Sequence, residues 1–262
     1  MDYQKALRYA KLAQDIYKDF ETIEFRDFPN SSPALFNART TNTQSAIVPL
    51  GADSLALIFR GTENFDDWKT NVNFSRELFE IRKPPTAESN QPVSRQIMRP
   101  EQASPVDVNG EQLANKATSA KMHEGFVEAY MSIQNELHPY VEMTKPAKLT
   151  MTGHSLGGAL ATLCAIDFRL TYNDRFNIEL FTYGSPRVGN HSFVELVNRH
   201  IPESVRFVNG LDIVPGVPGR INGYRHVDEV NRIGRRFTLR LFSARVRDHS
   251  MDNYISAIED LL

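Results

Sequence analysis

The chain has 262 residues, of which 41% are hydrophobic and 24% are charged, and this composition excludes a disordered or collagen-like protein. Thirty Lys and Arg against 32 Asp and Glu leave a net charge of -2, so no global field attracts nucleic acid. A single cysteine, Cys164, excludes an intramolecular disulfide and a cysteine-rich zinc site. At about 100 to 200 residues per domain, the length allows one or two domains.

Helical and strand patterns alternate along most of the chain. Apolar residues at steps of three or four predict helices, and short runs rich in β-branched and aromatic residues predict strands. In chain order the patterns predict a helix at 3–20, strands at 45–50 and 54–59, a helix at 126–141, a strand at 147–152, a helix at 159–170, a strand at 178–183, a helix at 192–199, a strand at 205–208, β-rich runs at 223–230 and 237–242, and a helix from Met251. This alternation predicts an α/β fold with a mostly parallel central sheet and helices on both faces.

Two segments depart from this pattern. Residues 75–121 hold five of the fourteen prolines and few apolar residues, so we expect a surface excursion, with a small hairpin near 106–110. Loops of this length are commonly lids or binding loops, and we favour such a role over disorder. The uncharged run 149–166 has glycines and polar residues at its centre, which argues against a membrane span. The first five residues lack a secretory pattern, and the cellular location stays open.

The segment around Ser155 carries the clearest chemical signal. Gly153 to Gly157 reads Gly-His-Ser-Leu-Gly, between a predicted strand and a predicted helix. A nucleophilic serine in this context lies on a strained turn, where a side chain at either glycine would collide with a neighbouring strand or helix. Ser155 is therefore the candidate nucleophile, favoured over a purely structural turn.

A serine nucleophile needs an orienting acid and a base, which follow it in that order in α/β-hydrolase folds. Asp212 lies just beyond the strand at 205–208, where such an acid is expected, whereas Asp167 and Asp174 lie in or at the end of the next helix. Of the two histidines after Asp212, we favour His249, on a loop before the last helix, over His226, in an apparent strand. Ser155, Asp212 and His249 form the predicted catalytic set.

The developing oxyanion requires two hydrogen-bond donors. One is the backbone N–H of Leu156, the residue after the nucleophile. For the second we expect Thr62, since Gly61 before it permits a close backbone approach after the strand at 54–59. The alternative for this segment is a simple turn at the end of a strand.

Several segments in the same order resemble the class 3 lipases, which include the filamentous-fungal triacylglycerol lipases. The matching residues are 59–62 with Asp67, Trp68 and Asn71, then His123, Gly125, Phe126, Ala129 and Tyr130, then 153–159, 182–190, 206–209, Asp212, Val214, Pro215, Asp248 and His249. The resemblance implies an α/β-hydrolase fold in one domain, residues 1–262, and the same roles for Ser155, Asp212, His249, Thr62 and Leu156. It also implies a lid after the oxyanion strand, with Phe65 and Trp68 as candidate lid residues in a lid or insertion region at about 63–121.

We therefore expect a lipase or esterase that cleaves acylglycerol or related lipid esters through an acyl-enzyme, with no metal or organic cofactor. Alternatives are a phospholipase A1, a feruloyl-type esterase, or a catalytically silent scaffold. The expected partners are a lipid or small ester substrate and a transient lipid interface, with no nucleic acid. Six arginines between 232 and 247 are interpreted as a solvated strand face rather than a lipid-binding patch. The lack of disulfides and a more polar lid distinguish the chain from fungal members.

Overall fold

The computed structural model describes residues 1–61, 78–81, 97–98, 120–227, 230–234 and 247–262. The described helices are α1 (Tyr3–Asp15), α2 (Glu124–Thr144), α3 (Leu156–Tyr172), α4 (His191–His200) and α5 (Met251–Glu259). The described strands are β1 (Ala34–Ala38), β2 (Thr43–Gly51), β3 (Ser54–Phe59), β4 (Leu78–Ile81), β5 (Ile97–Met98), β6 (Lys121–His123), β7 (Lys148–His154), β8 (Asn177–Tyr183), β9 (Gly189–Asn190), β10 (Ser204–Asn209), β11 (Tyr224–Arg225) and β12 (Val230–Ile233).

Seven strands form the main sheet, in the order β1-β2-β3-β7-β8-β10-β12. The pairs β1–β2 and β2–β3 are antiparallel, and every pair from β3 onward is parallel. The mostly parallel sheet predicted from the alternating pattern is therefore confirmed. All the parallel strands end at one edge, which we call the carboxyl edge.

Side chains alternate between the two faces of the sheet along each strand, so both faces carry apolar residues. Helices cover both faces. Leu55, Leu57 and Phe59 of β3 point into one core, which α2, α3 and α4 complete. Ala56 and Ile58 point into the other core, against α1 and α5. Cys164 is buried in the first core, and burial raises the pKa of its thiol well above the usual range. None of the described helices combines the length and apolar character needed to cross a bilayer.

A second, five-stranded sheet has the order β11-β9-β6-β4-β5. Its strands β6 and β9 are joined at Met122 and Gly189, and β4 and β5 connect it to the long excursion. Because β9 follows β8 and β6 precedes α2, this sheet lies at the carboxyl edge of the main sheet. The sequence patterns did not predict it.

Some predicted elements have different limits in the structure. The first helix ends at Asp15 rather than Phe20, since Asp15 is fully buried and binds the backbone and side chain of Arg26. Strand β1 was not predicted. The hairpin near 106–110, the strand at 237–242 and most of the 63–121 region lie outside the described residues.

Candidate active site

Ser155 occupies the turn between β7 and α3 in a conformation that side-chain-bearing residues rarely adopt. Its φ is 56° and its ψ is -129°, whereas unstrained residues favour negative φ. The backbone N–H of Ser155 donates to the carbonyl of Tyr183 at 3.0 Å, which fixes the turn to the end of β8. Strain of this kind is maintained only where the surrounding structure enforces it, and it is typical of functional turns.

The two glycines that flank Ser155 allow this turn to form. A Cβ added at Gly153 would lie 2.3 Å from the backbone of Gly157, inside the first turn of α3. A Cβ added at Gly157 would lie 2.1 Å from the carbonyl oxygen of Phe59, at the end of β3. Both distances are far below van der Waals contact, so the predicted steric need for glycine at these positions is confirmed.

An imidazole and a carboxylate lie in direct contact beside this turn. His249 Nδ1 is 2.8 Å from Asp212 Oδ2, and the Asp212 side chain is fully buried. Asp212 also accepts hydrogen bonds from the hydroxyl of Tyr254 at 2.6 Å and from the backbone N–H of Val214 at 2.9 Å. These hydrogen bonds replace the hydration that the carboxylate loses on burial, and they fix its orientation toward His249.

Gly184, which follows β8, leaves the space that this pair occupies. Its φ is +60°, and an added Cβ would lie 2.8 Å from Asp212 Oδ2 and 2.9 Å from His249 Nδ1. Since Ser155 is bound to the preceding residue, Tyr183, the end of β8 brings Ser155, Asp212 and His249 together. The three residues come from the ends of different elements, as the order along the chain predicts.

The loops that carry Asp212 and His249 are also bound to each other. The side-chain amide of Asn209 donates to the carbonyl of Asp248 at 3.0 Å. The backbone N–H of Leu211 donates to Asp248 Oδ2 at the same distance. Asp248, directly before His249, therefore attaches the His249 loop to the loop that carries Asp212.

The alternative candidates lie elsewhere. Asp167 accepts hydrogen bonds from Tyr130 and Gln134 in the core between α2 and α3, and Asp174 forms an exposed ion pair with Arg169. His226 follows β11 instead of lying within a strand, which corrects that expectation. Its Nε2 donates to the carbonyl of Pro215, and burial together with the charge of Arg206 lowers its pKa to about 3.

His154 contacts the candidate base, His249, and sequence reasoning did not identify this contact. Its Nε2 donates to the carbonyl of His249 at 2.7 Å, and its Nδ1 lies 3.0 Å from the hydroxyl of Tyr17. Burial and the neighbouring His249 lower the pKa of His154 well below its usual value. A neutral ring with the proton on Nε2 satisfies both contacts, because Nδ1 then accepts from Tyr17.

The loop after β3 passes close to the turn, as expected for an oxyanion-stabilising segment. A Cβ added at Gly61 would lie 2.6 Å from the carbonyl oxygen of His154 and 3.3 Å from the Cβ of Ser155. Leu156 is the first residue of α3, so its N–H has no acceptor within the helix and lies at the positive end of the helix dipole. Thr62, Phe65 and Trp68 lie outside the described residues. Among the residues that the structure describes, no group of three or more His, Cys, Asp or Glu could hold a metal ion.

Comparisons with known proteins show which family the chain resembles. A family model described as "Lipase (class 3)" matches residues 56–222. The secreted mono- and diacylglycerol lipase 1 of Fusarium solani is 38% identical over 121 residues, which are 45% of this chain and 35% of that protein. The chloroplastic phospholipase A(1) DAD1 of Arabidopsis thaliana is 28% identical over 191 residues, 69% of this chain and 37% of that protein. The matches thus span about a third of the length of these curated relatives.

The fold is shared with a solved structure. The crystal structure of the lipase from Rhizopus microsporus var. chinensis superposes with a TM-score of 0.68 and 24% identity. The superposition covers 96% of this chain and 85% of that one. The chain therefore has the α/β-hydrolase fold.

Proposed function

Because the chain belongs to the class 3 lipase family, we propose that it is a carboxylic ester hydrolase that cleaves lipid esters, with Ser155 as nucleophile, His249 as base and Asp212 as orienting acid. The observation that carries this proposal is the 2.8 Å contact between His249 Nδ1 and the buried Asp212, beside the strained turn of Ser155. A histidine and an aspartate that paired only to stabilise the fold would not need a strained serine next to them.

Acylation follows from the arrangement of these three side chains. His249 takes the proton of Ser155 Oγ as that oxygen attacks the ester carbonyl, and Asp212 stabilises the imidazolium that forms. The negative oxygen of the tetrahedral intermediate accepts from the N–H of Leu156 and from Thr62, our proposed second donor. The imidazolium then protonates the leaving alcohol, which departs and leaves the acyl group on Ser155.

Deacylation repeats these steps with water. His249 removes a proton from water as it attacks the acyl-enzyme, and the same donors stabilise the second intermediate. The acid is released and Ser155 regains its proton. These steps need no group beyond the chain and water.

We also propose that residues 1–262 form one catalytic domain. Both core clusters pack against the same seven-stranded sheet, which supports a single domain. The 63–121 region, with Phe65 and Trp68, is proposed to act as the lid over the carboxyl edge. Strands β4 and β5 of that region belong to the second sheet at this edge, which supports the placement.

A second candidate activity is that of a phospholipase A1. The relative from Arabidopsis thaliana that carries this name aligns over 69% of the chain, a longer span than the fungal match. A feruloyl-type esterase and a catalytically silent scaffold stay as alternatives that the same experiments test.

The nucleophile is tested by replacing Ser155 with Ala. We expect kcat on p-nitrophenyl butyrate to fall by about five orders of magnitude while the circular dichroism spectrum and Tm are retained. Ser256→Ala, an exposed position of α5, is the matched control and should keep full activity and full labelling by a fluorophosphonate probe. Turnover by pure Ser155→Ala protein would refute the mechanism, and a parent protein that neither labels nor turns over would indicate a scaffold.

The substrate class is tested with p-nitrophenyl esters of increasing acyl length, followed across their solubility limits, and with phosphatidylcholine. A rate that rises sharply when an emulsion forms indicates a lipase. Saturation below the solubility limit indicates an esterase, and release of the fatty acid from the first position of the phospholipid indicates a phospholipase A1.

A further inference from the structure

The segment between Asp212 and β11 carries an apolar side chain that is completely exposed. Ile221, in a short helical turn at Arg220–Asn222, has a relative exposure of 101%, the largest of the exposed hydrophobic residues that the structure describes. Single exposed apolar side chains are common on protein surfaces, so the groups around Ile221 decide what its exposure means. We call residues 220–225 the Ile221 loop.

Arginines surround this apolar tip. Arg220 and Arg225 lie in the loop itself and are exposed, and Arg187 lies behind it. Arg187 Nη1 donates to the carbonyl of Pro218 at 2.6 Å, and Arg225 Nη1 donates to the carbonyls of Arg220 at 3.1 Å and Tyr224 at 2.8 Å. Burial, together with the positive charges of Arg220 and Arg225, lowers the pKa of Arg187, so Arg187 lies within electrostatic reach of both.

The acceptors of these arginines in the described part of the chain are backbone carbonyls rather than carboxylates. The positive charge of the cluster is therefore not cancelled by an ion pair there. A cluster of this kind attracts anions, and each arginine next to an anionic membrane strengthens binding by about fivefold.

The Ile221 loop lies on the same side of the molecule as Ser155. Strand β11 pairs with β9, and β9 follows β8, whose end contacts Asp212 and His249. Arg187 is three residues beyond Gly184, so their Cα atoms are at most about 11 Å apart. A surface that touches the loop therefore also faces the carboxyl edge, where the ester must arrive.

We propose that the Ile221 loop docks the enzyme on an anionic lipid surface, with Ile221 entering the acyl boundary and Arg220 and Arg225 contacting the headgroups. The inference rests on the proposed function, since only an enzyme of lipid esters needs its substrate at an interface. One protruding isoleucine between two cations fits a lipid surface, which accepts an apolar tip below a layer of anions. A flat protein interface would need a broader apolar patch, and a nucleic acid offers nothing for Ile221 to enter.

Binding is measured by sedimentation with vesicles, in the Ser155→Ala background so that the lipid is not hydrolysed. Vesicles of phosphatidylcholine with phosphatidylglycerol and vesicles of phosphatidylcholine alone are compared. We expect the double variant Arg220→Gln/Arg225→Gln to bind the anionic vesicles about 25-fold more weakly, at about fivefold for each charge. Ile221→Ser should weaken binding to both kinds of vesicle by about tenfold.

Matched controls lie at the opposite edge of the sheet. Lys145→Gln/Arg199→Gln removes two charges at the ends of α2 and α4, and Met143→Ser removes an exposed apolar side chain that has a relative exposure of 74%. Both controls should bind both kinds of vesicle as the background protein does. Loop variants that bind as tightly as these controls would overturn the proposal.

Two further arms test for a soluble phosphate ligand and for failure of the proposed function. If glycerol 3-phosphate displaces the protein from vesicles and Ile221→Ser has no effect, the loop is a site for a soluble phosphate and the lipid docking proposal fails. Hydrolysis of soluble p-nitrophenyl butyrate by loop variants with Ser155 intact should be unchanged. A parent chain that binds vesicles but does not hydrolyse this ester would refute the proposed function alone.

Discussion

Tyr17 and His154 connect the end of the first helix to the loop that carries His249, the proposed base. The hydroxyl of Tyr17 lies 3.0 Å from His154 Nδ1, and His154 Nε2 holds the carbonyl of His249 at 2.7 Å. The ring of His154 also packs against that of His249, with 4.4 Å between centroids. We therefore propose that His154 is a positioning residue, because it contacts the backbone and ring of the candidate base, His249.

We expect His154→Ala to lower kcat by about 10- to 100-fold with little change in KM, since the His249 loop loses a buried hydrogen bond. His154→Gln should restore most of kcat, because its amide N–H can reach the same carbonyl. The measurements are steady-state kinetics on p-nitrophenyl butyrate from pH 5 to 9 and Tm by calorimetry.

A purely structural role would give a different result. In that case both variants would lower Tm while kcat per folded molecule and its pH profile stayed as in the parent. Tyr17→Phe is the companion change, and we expect it to destabilise the fold by about 1 to 3 kcal/mol because His154 Nδ1 loses its buried donor.

Some candidate site residues are marked by a local sequence pattern, whereas others are marked only by contacts between distant parts of the chain. Ser155 stands in a local pattern, and Asp212 and His249 follow it at the ends of predicted elements, so position along the chain is enough to propose them, and their catalytic roles stay predictions. Tyr17 and His154 are 137 residues apart, and only the packing of α1 against the sheet brings them into contact. Thr62 stays a prediction.

At the junction of β7 and α3, the backbone of Gly157 lies so close to the end of β3 that a side chain has no room. Gly157→Ala would place a Cβ 2.1 Å from the carbonyl oxygen and 2.8 Å from the carbonyl carbon of Phe59, which are backbone atoms at the end of β3. We expect this variant to be destabilised by several kcal/mol or to fail to fold. Urea unfolding and soluble yield measure the effect.

The matched control is Gly216→Ala. An added Cβ at Gly216 has no neighbour within 4 Å, and its φ is not positive. Its unfolding free energy should change by less than about 0.5 kcal/mol. Equal stability of the two alanine variants would contradict the steric explanation of the turn.

Long, strongly periodic elements were predictable, and short ones were not. The helices α2, α3 and α5 and strands β3, β7, β8 and β10 bury enough residues to show a clear pattern. Strands β9 and β11 have two residues each, so no periodicity can indicate them, and only their pairing defines them, β9 with β6 and β11 with β9. The second sheet could therefore not be predicted from the sequence pattern, although it includes strands β4 and β5 of the predicted excursion.

At the scale of the whole molecule, buried neutral histidines oppose folding in acid. His123 has a relative exposure of 2%, and burial lowers its pKa to about 4. Above about pH 6.5 the ring is neutral in both states. Between about pH 6.5 and pH 4 the unfolded chain binds a proton at His123 that the folded chain does not, so stability falls as the pH falls, by about 1.4 kcal/mol per pH unit.

His123→Phe keeps an aromatic ring next to Phe126, whose centroid lies 4.4 Å from that of His123. We expect the unfolding free energy of this variant to fall less steeply between pH 6.5 and pH 4, by about 1.4 kcal/mol per pH unit. Urea unfolding at several pH values measures the slope. His191→Gln is the control, because the His191 side chain is 75% exposed, and a slope changed equally by both variants would contradict the role of burial.

The two-layered core was the part of the whole molecule that composition and alternation predicted best, since the inner strands β2, β3, β7, β8 and β10 are buried on both faces. The antiparallel start of that sheet was not predicted, because the burial pattern of β2 and β3 is the same for either strand direction. Direction is set by the short turn between them, at residues 52 and 53.

The lone thiol makes this protein convenient for labelling. Cys164 is the single cysteine of the sequence, and it is fully buried in the core next to Tyr130 of α2, with a pKa too high for appreciable thiolate at neutral pH. A maleimide dye or spin label would therefore react at an engineered cysteine without prior removal of the native one. A probe placed at position 221 or on the rim of the carboxyl edge could report polarity and distance while the enzyme meets a lipid surface.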